Sequence, residues 1–286
     1  MRHLEHSRID ARKFMEQVIA AKRPAGDHGY RERCRLLMAD DRMGVDDYDH
    51  AFQTNSLENL GKKTWTDIES TDLLSLYNYR HASFRRLRES IICSDRNRRN
   101  DTCPICGLDR VSTLDHFLPK SHFPEYSIHP RNLVPCCSVC NGHKSECWHH
   151  TGHRAVWNPY LDTIPVDAYL KCLISMSDSL PEATFHIEQG DIDDYTFSLI
   201  ERTFTRLHLL ERYHEAAYAE SDKFLSIVLG ELRHSPRYTF EENISRIVEI
   251  DRETGAPNDW PQVLHNALLQ SPPVLDLLRT RLHSDP

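Results

Sequence analysis

The chain has 286 residues, 39% hydrophobic and 27% charged, with a formal net charge of −8. This composition belongs to proteins with a real core. No apolar stretch approaches the roughly 20 residues that span a bilayer, and the acidic balance excludes a surface coated in basic residues for unspecific nucleic-acid binding. The N-terminal MRHLEHSRIDARKF has no apolar run behind its basic residues, so no secretory signal and a cytoplasmic location without membrane contact are expected.

Residues 1–100 read mostly as helix. LLSLYNYRHASFRRLRESII sets Leu73, Leu76, Tyr77, Phe84, Leu87 and Ile91 at spacings of three, four and seven, which predicts one amphipathic helix capped by Thr71 or Asp72. From Arg80 to Arg99 seven arginines stand against Glu89 and Asp95, either a local strip for phosphates or a solvated helix face and loop. Residues 101–162 differ, being rich in Pro, Cys and His without a long helical period. VSTLDHF predicts a strand that ends at Asp115 and His116. A Pro-rich loop follows, in which His122 and His129 read as surface residues or substrate contacts. Asn132 then leads the short apolar run LVP, and a short helix from Ser138 bears Asn141, His143 and Lys144. In residues 163–286 helical patterning returns. EATFHIEQG predicts a short strand, and SLIERTFTRLHLLERYHEAAYAESDKFLSIVLGEL a long amphipathic stretch with Gly230 and Pro236 as stop signals. Trp65, Trp157 and Trp260 read as packing aromatics. The fold class is α+β: a mainly α-helical chain around a small central module.

The chain has nine cysteines, and six of them fall between positions 103 and 147. In a reducing compartment such clustering points to metal or catalysis rather than disulfides. Cys34, Cys93 and Cys172 are isolated and read as apolar fillers. CPIC (Cys103, Cys106) and CSVC (Cys137, Cys140) are two C-x-x-C knuckles separated by 30 residues. Four thiolates make a soft tetrahedral site suited to structural Zn²⁺. Cys136 and Cys147 do not fit the spacing and stay outside it. WHHTGH, with His149, His150 and His153, reads as an exposed loop.

The polar residues between the knuckles exceed what a structural zinc requires. Asp-His, then Asn, then Cys-x-x-Cys-Asn-x-x-Lys resembles the HNH endonucleases, over about sixty residues from Cys103. The fuller string TLDHFLPKSHFPEYSI...NLVPCCSVCN...NPYLD is also similar to the HNH subunits of bacterial anti-phage systems such as Septu. The resemblance implies a ββα-metal module at 101–162 between an N-terminal helical region (1–100) and a C-terminal one (163–286). It implies hydrolysis of phosphodiester bonds, most naturally in double-stranded DNA, and a separate ATPase as partner. By resemblance His116 is the general base and Asn132 orients its ring, while Asp115 and Asn141 offer hard oxygen ligands to catalytic Mg²⁺ or Mn²⁺. Lys144 and Lys120 are candidate phosphate contacts. At the third family position Asn141 is preferred and His143 is the alternative, since residues two apart on a helix face differently. A zinc-stabilised binding or scaffold subunit with an inactive site remains the competing reading.

Overall fold

Thr66 starts the fourth helix with a capping box: its hydroxyl accepts from Glu69 N at 3.3 Å and Glu69 Oε2 accepts from Thr66 N at 3.0 Å. Before it come α1 (Ala11–Ala20), α2 (Tyr30–Ala39) and α3 (Val45–Gln53). The predicted single helix across Leu73–Ile91 is two, α4 (Asp67–Leu76) and α5 (Ala82–Ile92). The break has a local cause. Tyr77 is extended, and Asn78 Oδ1 accepts from Arg80 N at 3.0 Å, which turns the chain. Asp72 does not cap; it is buried and pairs with Arg33 at 2.6 Å. The apolar spacing survives the break because Tyr77 and Phe84 still pack together, with ring centroids 5.0 Å apart.

The computed structural model describes residues 1–22, 27, 29–93, 99–178, 180–235, 237–254 and 256–284. They fall into two units, Arg2–Ile164 and Pro165–Pro286 with Met1. No helix among the described residues is long and apolar enough to cross a membrane. The architecture is mainly helical with small antiparallel sheets, an α+β arrangement.

In the first unit β1 (Thr113–His116) pairs antiparallel with β2 (Leu133–Cys136), in the register Asp115 to Val134 and His116 to Leu133. Helix α6 (Ser138–Lys144) follows. The hairpin is packed on both faces. Leu114 and Leu133 join Phe14, Val18, Leu37, Leu73, Phe84 and Leu87, whereas Val134 joins Tyr48, Phe52, Phe117, Phe123 and Tyr126. Alternation along a strand sends neighbours to opposite sides, so the helices before the hairpin enclose it. The loop between the strands is buried rather than superficial. Glu125, Ser127, His129 and Asn132 are all 0% exposed. His129 therefore is not a surface residue: it lies 4.1 Å from the Tyr48 ring, with Nε2 3.2 Å from Asp49 Oδ1. His149, His150 and His153 are exposed on the two-residue strands β3 (His149–His150) and β4 (His153–Arg154).

In the second unit the expected strand over EATFHI is β6 (Leu180–Ile187), and its partner β5 (Leu170–Ser177) is an element the pattern does not announce. In LKCLISMS the outward-facing Leu173 breaks the polar alternation. The long helical stretch is also two helices, α7 (Asp194–Leu207) and α8 (Leu209–His234), broken where His208 takes φ 52°, ψ 44°. Gly230 stops nothing, since α8 runs through it, and Pro236 lies outside the described residues. Helices α9 (Phe240–Thr254), α10 (Trp260–Gln270) and α11 (Pro272–Ser284) complete the unit. Buried Asn258 ties the start of β5 to the turn before α10. Its Oδ1 accepts from Tyr169 N at 2.8 Å and Leu170 N at 3.0 Å, and its Nδ2 donates to Asp167 O at 2.9 Å. Asn258→Ala strands two buried amides and should cost this unit about 2–3 kcal/mol. Urea denaturation followed by the fluorescence of Trp260 measures it, and an unchanged midpoint would remove this role from Asn258.

Candidate metal centre and active site

Cys103, Cys106, Cys137 and Cys140 are buried and bring their sulfurs within 4.8 Å of one another. Cys106 Sγ and Cys137 Sγ are 3.8 Å apart. Sulfurs bound tetrahedrally at about 2.3 Å to zinc stand about 3.8 Å from one another, so the cluster has the size and donor set for that ion. Backbone amides also point at it: Cys140 N donates to Cys137 Sγ at 3.3 Å and Leu108 N to Cys106 Sγ at 3.4 Å. Amide donors favour thiolates over thiols. Four thiols so close interact, and the first to lose its proton is held by hydrogen bonds from the others. A cation shared by all four would let each be a thiolate. Cys136 is buried outside the cluster, its Sγ 3.3 Å from the Thr113 hydroxyl; Cys147 also lies outside.

The second knuckle starts α6. Cys137 is its N-cap, and positions 137, 140, 141 and 144 share one face at helical spacing. Lys144 on that face is buried, with Nζ 3.1 Å from Asp115 Oδ2 and donating to His116 O at 2.9 Å. Its ammonium is thus turned onto β1. Asn141, one turn before Lys144, is half-buried; His143 is half-buried too, but off that face. Burial pushes the Asp115 carboxyl above the usual carboxylate range, against the pull of the Lys144 charge.

β1 ends on His116, and Phe117 N already bonds Asn132 O at 2.8 Å. The His116 ring is buried, with Nε2 2.8 Å from Ser127 O. A carbonyl only accepts, so Nε2 carries the proton and the lone pair sits on Nδ1. Burial depresses this imidazole to about 3, so it is neutral near pH 7. The hydrogen bonds of the Asn132 side chain do not go to the ring. They brace the loop, with Oδ1 accepting from Leu118 N at 2.8 Å and the Tyr48 hydroxyl at 3.2 Å, and Nδ2 donating to Leu118 O at 3.1 Å and Tyr126 O at 3.0 Å. Ser127, whose carbonyl holds His116, is the next residue. Exposed Lys120 places Nζ 5.3 Å from the Tyr77 ring, and that ring lies 4.5 Å from His116.

The structure thus joins Asp115 and Lys144 directly and sets His116 on the neighbouring backbone. Tyr48, Tyr77 and Ser127 belong to the same surroundings but carry no local signal in the sequence. Their significance arises only from contacts between distant segments. Cys103→Ser should lose about one equivalent of zinc and several kcal/mol of stability, whereas Asn141→Ala keeps the zinc. Elemental analysis of the purified variants checks both, and zinc loss from Asn141→Ala would refute the separation of the two roles.

No family model matches the chain, and no solved structure matches it. Among curated proteins, protein ea31 of Escherichia phage lambda is 28% identical over 194 residues, 60% of this chain and 62% of that protein. Septu protein PtuB of Bacillus thuringiensis is 39% identical over 69 residues, 22% of this chain and 26% of PtuB. The chain spans less than two thirds of either relative, and its similarity to PtuB is a Septu-like link over a short stretch.

Proposed function

We propose that this protein is a metal-dependent HNH endonuclease that hydrolyses phosphodiester bonds in double-stranded DNA, and that residues 101–162 are its ββα-metal module. The observation that carries the reading is His116: a buried, neutral imidazole with Nε2–H fixed on a backbone carbonyl and its lone pair on Nδ1. A structural zinc has no use for such a group. The hairpin β1–β2 followed by α6, and the four sulfurs beside them, support the same reading.

In the reaction, His116 Nδ1 takes a proton from water, and the oxygen so activated attacks phosphorus. The bond from phosphorus to the 3′ oxygen breaks, that oxygen is protonated from solvent, and a 5′-phosphate and a 3′-hydroxyl remain. Asp115 and Asn141 are the oxygen donors that would hold a catalytic Mg²⁺ or Mn²⁺. Such an ion supplies Lewis-acid neutralisation of charge on the phosphoryl and leaving oxygens. Lys144, whose charge opposes the effect of burial on the Asp115 carboxyl, acts as a positioning residue, while exposed Lys120 meets a phosphate. Position 141 is favoured over His143 because it shares the face that Lys144 turns toward Asp115.

Substrate affinity has a local source. Arg88 is engaged with Tyr79 and Glu89, and Arg99 with Glu89 and Asp101. Arg80, Arg85 and Arg86 are exposed and have no ion-pair partner among the described residues; Arg96 and Arg98 lie outside those residues. The first three are the phosphate contacts of this reading. The Septu-like similarity supports a role in anti-phage defence together with an ATPase.

In a plasmid-cleavage assay with Mg²⁺ or Mn²⁺, His116→Ala should lose at least about 10²-fold in kcat. Equal cutting by both proteins would overturn the assignment. No cutting by wild type with any metal or ATPase partner would leave a zinc-stabilised binding subunit. In DNA binding by the His116→Ala protein, adding Arg85→Ala and Arg86→Ala should flatten the slope of log K against log salt by about 2. An unchanged slope would move the phosphate contacts elsewhere.

A further inference from the structure

We propose that helix α4, outside the motif-bearing window, is a positioning element for His116: Leu73 and Tyr77 at its C-terminal end fix where the imidazole stands and which nitrogen carries the proton. The inference rests on the reading of His116 as general base.

Two contacts carry it. The first runs through Ser127. Its hydroxyl donates to Leu73 O at 2.8 Å, and its own carbonyl accepts from His116 Nε2 at 2.8 Å. Leu73 O is one of the last carbonyls of α4, which have no amide partner one turn further on within the helix. Tyr77 N turns instead to Leu74 O. Leu73 and Ser127 are both 0% exposed, so water cannot replace this bond. The helix end therefore sets the height of the carbonyl that selects the imidazole tautomer.

The second contact is Tyr77, four residues after Leu73 and so on the same side. Its ring meets the His116 ring edge to face, at 4.5 Å and 71°. Its hydroxyl donates at 3.0 Å to Leu114 O, on the strand two residues before His116. Phe84 also packs against this ring, at 5.0 Å between centroids. Tyr77 thus holds both the backbone that carries His116 and the plane of its ring. One contact fixes a nitrogen and the other fixes an orientation. A general base needs both, because a small misplacement of the reacting atoms is costly in rate.

The test uses full-length protein with ¹⁵N-labelled histidine, the His116 signals being identified by their absence in His116→Gln. Wild type should show His116 as a single tautomer protonated on Nε2. Tyr77→Leu and Ser127→Ala should show mixed tautomers or rapid solvent exchange at His116 while retaining zinc. In plasmid cleavage these two should lose about tenfold to a hundredfold in kcat with KM little changed, and Tyr77→Phe, which keeps the ring but loses the bond to Leu114 O, should fall between them and wild type. Ser127→Ala leaves the carbonyl in place and so decides the matter if Tyr77→Leu fails to fold. A single unchanged Nε2–H tautomer in both Tyr77→Leu and Ser127→Ala would overturn the positioning role. A wild type that cuts no nucleic acid would overturn the nuclease reading instead, and the spectra would still decide whether α4 orients His116.

Discussion

Four sulfurs within 4.8 Å of one another set the constraint on which the site depends. Helix α6 has seven residues and strands β1 and β2 have four each, lengths that are not stable alone in water. What fixes them is closure. The turn at Cys103 and Cys106 and the start of α6 at Cys137 and Cys140 are drawn to one point, and the residues between become a closed loop. Closing a loop of this length costs chain entropy, and a bound divalent cation is the natural source of compensation. With its first turn fixed by two sulfurs, α6 can present Lys144 to Asp115 without help from its own helical propensity.

Around that closed loop the helices α1–α5 supply the enclosure. Leu114 and Leu133 belong to one apolar cluster and Val134 to another, so the hairpin cannot shift by one residue without sending its set of side chains to the wrong side. That register lock places Asp115 opposite Val134 and His116 opposite Leu133. The same enclosure accounts for the burial of His116 and Asp115. Burial pushes both toward their neutral forms, and at Asp115 the Lys144 charge pulls the other way.

The parts legible in the sequence are those whose partners are close or whose spacing is fixed by chemistry. C-x-x-C spacing announces a metal cluster, and VSTLDHF, LVP and the short helix announce their own order. Less legible were continuity and burial. Apolar periodicity reports which face is buried, and that face persists across the turn at Tyr77–His81, so the break between α4 and α5 left no mark on the pattern. The break at His208 is of the same kind: nothing in the composition there signals a left-handed residue. His129 is polar and lies in a Pro-rich segment, which reads as surface until Tyr48 and Asp49, far along the chain, are seen against it. The contacts of Lys144 with Asp115 and of Ser127 with Leu73 were hidden for the same reason.

The similarity to protein ea31 covers 60% of this chain, far more than the 101–162 window, so it takes in helical surroundings as well. The similarity to PtuB covers 22%, about the length of that window. An autonomous active-site module and one completed by its surroundings make different demands on the flanking helices. In the first case they need only be soluble and folded. In the second, particular contacts must persist, such as Tyr48 on Asn132, Leu73 on Ser127 and Tyr77 on His116. Those contacts bind buried polar atoms of the loop to α3 and α4, and leaving such atoms unpaired is costly. The loop whose Ser127 carbonyl holds His116 is therefore folded only as far as α3 and α4 are, within the single unit Arg2–Ile164.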